Sequence, residues 1–263
     1  MTRRVTRNST GSLVALTVAL VLTACGGSST PPRPAGAGGL SGDVVVFAAA
    51  SLTTAFEQVR EDFEAGHPGV QVVLNVGGSA ALAQQILSGA PADVFAAANT
   101  ATMQTVVDAG EATGAQVFAR NRLEIAVPPD NPARVAGLSD LSRPALTIAL
   151  CAPEVPCGAA ATEVFTAAGL VPAPDTLEQD VRAVLSKVRL GEVDAGLVYR
   201  TDVLSAAGEV TGIAFPEAEQ AVQDYPLVAL ATAPNAAAAE AFVAYVLSRE
   251  GQAVLAAAGF DTG

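Results

Sequence analysis

From Asp43 onward the chain alternates between short, nearly unbroken apolar runs and longer stretches in which apolar residues recur at helical spacing. The apolar runs at 44–50, 70–76, 93–98, 123–127, 145–150, 195–199 and 225–231 read as strands, most of them buried on both faces. Between them, Leu52, Ala55, Phe56, Val59 and Phe63 fall on one side of a helix. Thr54 and Glu57 are spaced for a capping box at its start, and Gly66-His67-Pro68 stops it. Further helices are expected at 80–87, with Leu82 and Ile86 on one face, and at 100–109, 159–168 and 181–190. A last helix at 236–258 carries Phe242, Val246, Leu247 and Leu255 on its apolar side. Strand–helix alternation of this kind predicts an α/β fold of mostly parallel sheets flanked by helices. The cluster Pro128-Pro129-Asp130-Asn131-Pro132 suggests a crossing into a second lobe, and no repeat of fixed period is visible.

The first residues follow a different pattern. Arg3, Arg4 and Arg7 precede an apolar run at 13–24 that is too short for the ~20 residues of a membrane span and reads as an export signal. It ends in Leu22-Thr23-Ala24-Cys25-Gly26, which resembles a bacterial lipobox, so Cys25 is expected to carry a lipid and hold the chain on the outer face of the cell membrane. The Gly, Ser and Pro-rich stretch 26–42 cannot bury much and reads as a tether. The organisation expected is therefore a leader at 1–24, a tether at 25–42 and a folded part from Asp43.

Composition narrows the function. The chain has 263 residues, enough for one large domain or two lobes with separate cores, and 26 Asp and Glu against 14 Lys and Arg, a net charge of −12. Nucleic acid is a poor partner for such a balance. The only histidine is His67 and no Gly-x-Ser-x-Gly elbow is present, so a serine hydrolase is not supported and no enzyme activity is expected. Cys151 and Cys157 lie close together around Pro153 and Pro156; in an exported chain such a pair favours a disulfide over two free thiols.

One chemical feature recurs. Val44–Ala50 runs into Ser51 and a helix, and Val72–Val76 runs through Gly77-Gly78 into Ser79 and another helix. A strand-to-helix junction offers free backbone N–H groups, the positive end of a helix dipole and a hydroxyl together, which holds an oxyanion without formal charge. Asp93, in Pro-Ala-Asp-Val-Phe, reads as structural, because a carboxylate repels an anion.

The segments Val46-Phe47-Ala48-Ala49-Ala50-Ser51-Leu52, Gly77-Gly78-Ser79, Gly89 through Ala98, Val155-Pro156-Cys157-Gly158, Asp180-Val181-Arg182 and Gly196-Leu197-Val198-Tyr199 resemble, in order, periplasmic molybdate-binding proteins of the ModA type. The similarity spans essentially all of 43–263. It implies a type II-like periplasmic-binding-protein fold: two α/β lobes, 43–123 plus 225–263 and 124–224, joined by two crossing hinge strands and closing on the ligand. It implies a molybdate ligand, with tungstate indistinguishable from it, no cofactor, no separate metal site, an ABC permease and its ATPase as partners, and a monomer. Sulfate or another tetrahedral oxyanion is the alternative cargo. By the resemblance, Ser51 and Ser79 give hydroxyl and backbone N–H donors, Cys157 and Val181 give backbone N–H groups, and Tyr199 gives its phenol. Cys157 departs from the alanine common at its position.

Overall fold

The computed structural model describes residues 39–263. The leader, Cys25 and the tether up to residue 38 lie outside the described residues. Leu40 already packs against a core and Gly42 pairs with Val70, so the folded chain starts slightly ahead of Asp43.

Chain order is β1 (Gly42–Ala49), a 3-10 turn (Ala50–Leu52), α1 (Thr53–Gly66), β2 (Val70–Gly77), α2 (Ser79–Leu87), β3 (Val94–Ala96), α3 (Thr100–Asp108) and β4 (Gln116–Asn121). The chain then crosses at Arg122 into β5 (Leu123–Val127), β6 (Ile148–Cys151), α4 (Pro156–Ala168), β7 (Thr176–Glu178), α5 (Val181–Arg189), β8 (Ala195–Tyr199), α6 (Arg200–Ser205) and β9 (Thr211–Ile213). A 3-10 segment (Pro216–Ala221) leads back into β10 (Gln223–Ala229), α7 (Ala236–Leu247) and α8 (Arg249–Ala257).

These strands form two five-stranded sheets, β2-β1-β3-β10-β4 and β7-β6-β8-β5-β9. Each contains one reversed strand, and in each case it is the strand that enters the sheet straight after a crossing: β10 is antiparallel to β3 and β4, and β5 to β8 and β9. The sheets are thus mixed, with a parallel majority. β1 is covered on both faces. Val44, Val46 and Ala48 pack with Phe56, Phe63 and Phe242 of α1 and α7, while Phe47 packs with Leu82, Ile86 and Met103 of α2 and α3. This two-sided cover explains the unbroken apolar run. The second lobe has its own core around Ile125, Ile148, Val164, Val184 and Leu197.

Several sequence expectations need correction. The crossing lies at Arg122, ahead of the proline cluster, because β5 pairs with β8 and already belongs to the second sheet. Thr54 and Glu57 form no capping box: the 3-10 turn feeds straight into α1, whose N-cap is Leu52, without a side-chain cap. The expected helix at 236–258 is broken at Ser248, which adopts an extended conformation and accepts from the Gly251 N–H to start α8. Asp93 is structural, as read: its carboxylate accepts from the Val45 and Asn235 N–H groups at 2.8 and 2.7 Å.

Candidate functional site

Where the two lobes face each other, one pocket is lined by Ser51, Ser79, Cys157, Val181 and Tyr199 together. All five residues singled out in the sequence therefore meet, although up to 148 positions separate them (199 − 51). The pocket is small, with about 20 Å³ open to the centre of a water-sized sphere. A single water needs on the order of 10–15 Å³ by that measure, so the space suits one compact ion rather than an organic molecule.

The donors come from the starts of helices. Ser51 lies in the 3-10 turn after β1, and Ser79 is the first residue of α2. On the opposite lobe, Cys157 follows Pro156 in the first turn of α4, and Val181 opens α5. First-turn N–H groups have no partner within their helix, and the dipole adds positive potential there. Among the described residues, the lining contains no lysine or arginine. Asp180 is the one charged lining residue, and its carboxylate is engaged in capping α5, accepting from the Ala183 N–H at 2.9 Å.

Neither serine hydroxyl is used as a helix cap. Ser79 Oγ instead accepts from the Ala98 N–H at 3.1 Å, which leaves its own proton free for the pocket. Ser51 Oγ is 2.9 Å from the Tyr225 hydroxyl. Tyr199 is about 1% exposed, and its hydroxyl lies beside that of Tyr225 without forming a hydrogen bond of good geometry among the described residues. A buried hydroxyl left unpaired is costly, and here it borders the pocket. Burial, and then the neighbouring Tyr225 and Asp202, push its pKa well above the usual tyrosine range, so it stays protonated and able to donate.

Two local features hold the second lobe's donors in place. A disulfide joins Cys151 at the end of β6 to Cys157, with Cα atoms 5.7 Å apart, and ties the start of α4 to the sheet. Gly158 packs so tightly that an added Cβ would lie 1.8 Å from the Ala152 carbonyl oxygen. At the mouth the lobes touch directly: a Cβ on Gly78 would lie 2.6 Å from the Gln179 carbonyl oxygen.

Behind the site lies a buried polar cluster that sequence reasoning missed: Asn121, Thr201, Asp202 and Tyr225. Asp202 accepts from the Tyr199 N–H at 3.0 Å, and burial pushes its pKa up to about 7. Their sequence context offered little signal, since β4 and α6 are short and weakly patterned.

The family of bacterial extracellular solute-binding proteins matches residues 44–261. The molybdate-binding protein ModA of Mycobacterium tuberculosis is 44% identical over 253 residues, covering 96% of this chain and 97% of the relative. Among solved structures, the substrate-binding domain of a putative molybdenum ABC transporter from Clostridium difficile superposes with a TM-score of 0.63 at 26% identity, covering 84% of this chain and 99% of that one. The sulfate-binding protein SubI of M. tuberculosis gives a TM-score of 0.74 at 21% identity, covering 84% and 86%, so the fold is shared by proteins with different cargoes. The architecture, the extent of the match and the identity together show that the chain belongs to the bacterial extracellular solute-binding proteins, with ModA among its relatives.

Proposed function

We propose that this protein captures molybdate, and with it tungstate, outside the cytoplasm and delivers it to the permease of an ABC importer. The observation that carries the reading is the donor set: two serine hydroxyls not used as caps, helix starts from both lobes and a buried, partnerless phenol around a space sized for one ion. Such a pocket suits an anion, because all five of these residues offer a hydrogen and charge-assisted bonds are strong in a dry site. In this reading Ser51, Ser79 and Tyr199 donate from side chains, and Cys157 and Val181 from the backbone. A chain this acidic repels anions at long range, so affinity rests on local dipoles.

The binding step is a closure. The two lobes act as jaws, with the crossings at Arg122 and before β10 as hinges, and the closed form is the one offered to the permease. The leader delivers the chain across the membrane and a lipid on Cys25 retains it there as a monomer. Sulfate has the same shape and is the competing cargo.

Thermal melting of Ser51→Ala and Ser79→Ala with and without molybdate tests the proposal. A ligand bound only by the native state raises Tm by mass action. The parent should show a clear rise that each variant loses, on top of a lower ligand-free Tm, since the Ala98 N–H or the Tyr225 hydroxyl loses its partner. A full rise in both variants would mean that the serines are not ligands.

A further inference from the structure

Tyr225 is not part of the pocket lining, yet its hydroxyl is the only protein partner of the Ser51 hydroxyl among the described hydrogen bonds. Which of the two donates follows from the atoms behind them. The Arg122 backbone N–H can only donate, and it donates to Asn121 Oδ1 at 3.0 Å. That fixes the Asn121 amide with its NH₂ turned the other way. The NH₂ then donates to Thr201 Oγ1 at 2.8 Å and, more weakly, to the Tyr225 hydroxyl oxygen at 3.5 Å. Tyr225 thus receives a hydrogen on its oxygen and turns its own proton to Ser51 Oγ. Ser51 in turn keeps its own proton free for the pocket. The chain of donors runs one way, from a backbone N–H at the lobe crossing to the anion, and such chains polarise each successive bond.

We propose that Tyr225 is a positioning residue that holds the Ser51 hydroxyl as a donor to the anion, with Asn121 setting the direction of Tyr225. Ser79, whose oxygen accepts from the Ala98 N–H, is likewise held with its proton free to donate. The inference deepens the proposed function and rests on it.

The test is a double-mutant cycle on the full-length chain, with molybdate as probe. Tyr225→Phe removes the hydroxyl and keeps the ring, whose edge-to-face packing on Phe118, Tyr199 and Phe260 maintains the hinge. Affinity is read by calorimetry, and by thermal shift at millimolar molybdate for weak variants. Tyr225→Phe should weaken binding roughly tenfold in the parent and by less than about twofold in a Ser51→Ala background, since it acts through Ser51. Equal losses in both backgrounds or no loss in the parent would each overturn the inference. Should Tyr225→Phe melt far below the parent, Asn121→Ala replaces it in the same cycle, with a smaller loss expected that again vanishes without Ser51. A parent chain that binds no molybdate overturns the proposed function itself, a result distinct from a failed cycle.

Discussion

Gly78 offers the sharpest probe of lobe closure. Its backbone, φ −60° and ψ 127°, suits any residue, so alanine introduces no backbone strain. What alanine adds is a Cβ placed 2.6 Å from the Gln179 carbonyl oxygen and 3.5 Å from Asp180 Cβ, both on the opposite lobe. Ordinary contact begins near 3.4 Å, so the jaws must part by about 0.8 Å at that point (3.4 − 2.6). Overpacking of this kind costs about 1–3 kcal/mol, and if the lobes close on the ligand as proposed the cost falls on the closed form alone. Gly78→Ala should therefore weaken molybdate binding roughly 5- to 150-fold while leaving the ligand-free Tm unchanged. Calorimetry and melting on the same preparation read both quantities. Unchanged affinity would mean that the bound state does not bring Gly78 against Gln179. A drop in ligand-free Tm matching the affinity loss would mean that the lobes already meet at Gly78 without ligand, and would rule out a clash confined to closure.

Further expectations follow from the site. Tyr199→Phe removes a buried hydroxyl without a partner, so the ligand-free protein should be unharmed while molybdate affinity falls roughly tenfold; an equal loss of stability without ligand would argue against a role in binding. Reducing the Cys151–Cys157 disulfide should cost ~2 kcal/mol and lower Tm by several degrees; an unchanged Tm with both thiols shown to be free would contradict this. Burial raises the folded pKa of Asp202 from 3.8 to about 7, an effect opposed by the Tyr199 N–H and Arg182 and reinforced by Asp180. The stability it contributes is full below about pH 4 and lost as pH rises through about 7, at most about 4 kcal/mol. Tm of Asp202→Asn should accordingly fall less than the parent's between pH 5 and 8, and parallel curves would count against the buried acid.

Much of the lobe architecture was legible because burial on both faces writes itself into the sequence. β1 and β8 are unbroken apolar runs for this reason, and Val181–Arg189 shows a clear amphipathic face. Short strands escaped: β4 mixes exposed and buried positions without regular alternation and includes Arg120 and Asn121, and β7 and β9 span three residues each. The pocket residues were legible through their small neighbours and serines at strand ends. The groups behind them were not. Tyr225 sits in an apolar strand and reads as core; that its hydroxyl reaches Ser51, 174 positions away, emerges only when β10 returns beside β3. Asn121 and Arg122 matter because the chain crosses there, and the prolines drew attention to the wrong side of that crossing.

The most direct test of the central claim is an equilibrium titration of the ligand-free protein with molybdate, tungstate, sulfate and phosphate in parallel. The account predicts saturable one-to-one binding of molybdate and tungstate, weaker or absent sulfate binding and no phosphate binding. Binding of sulfate alone would keep the pocket and change the cargo. Binding of none of the four would contradict the account of a neutral-donor oxyanion site.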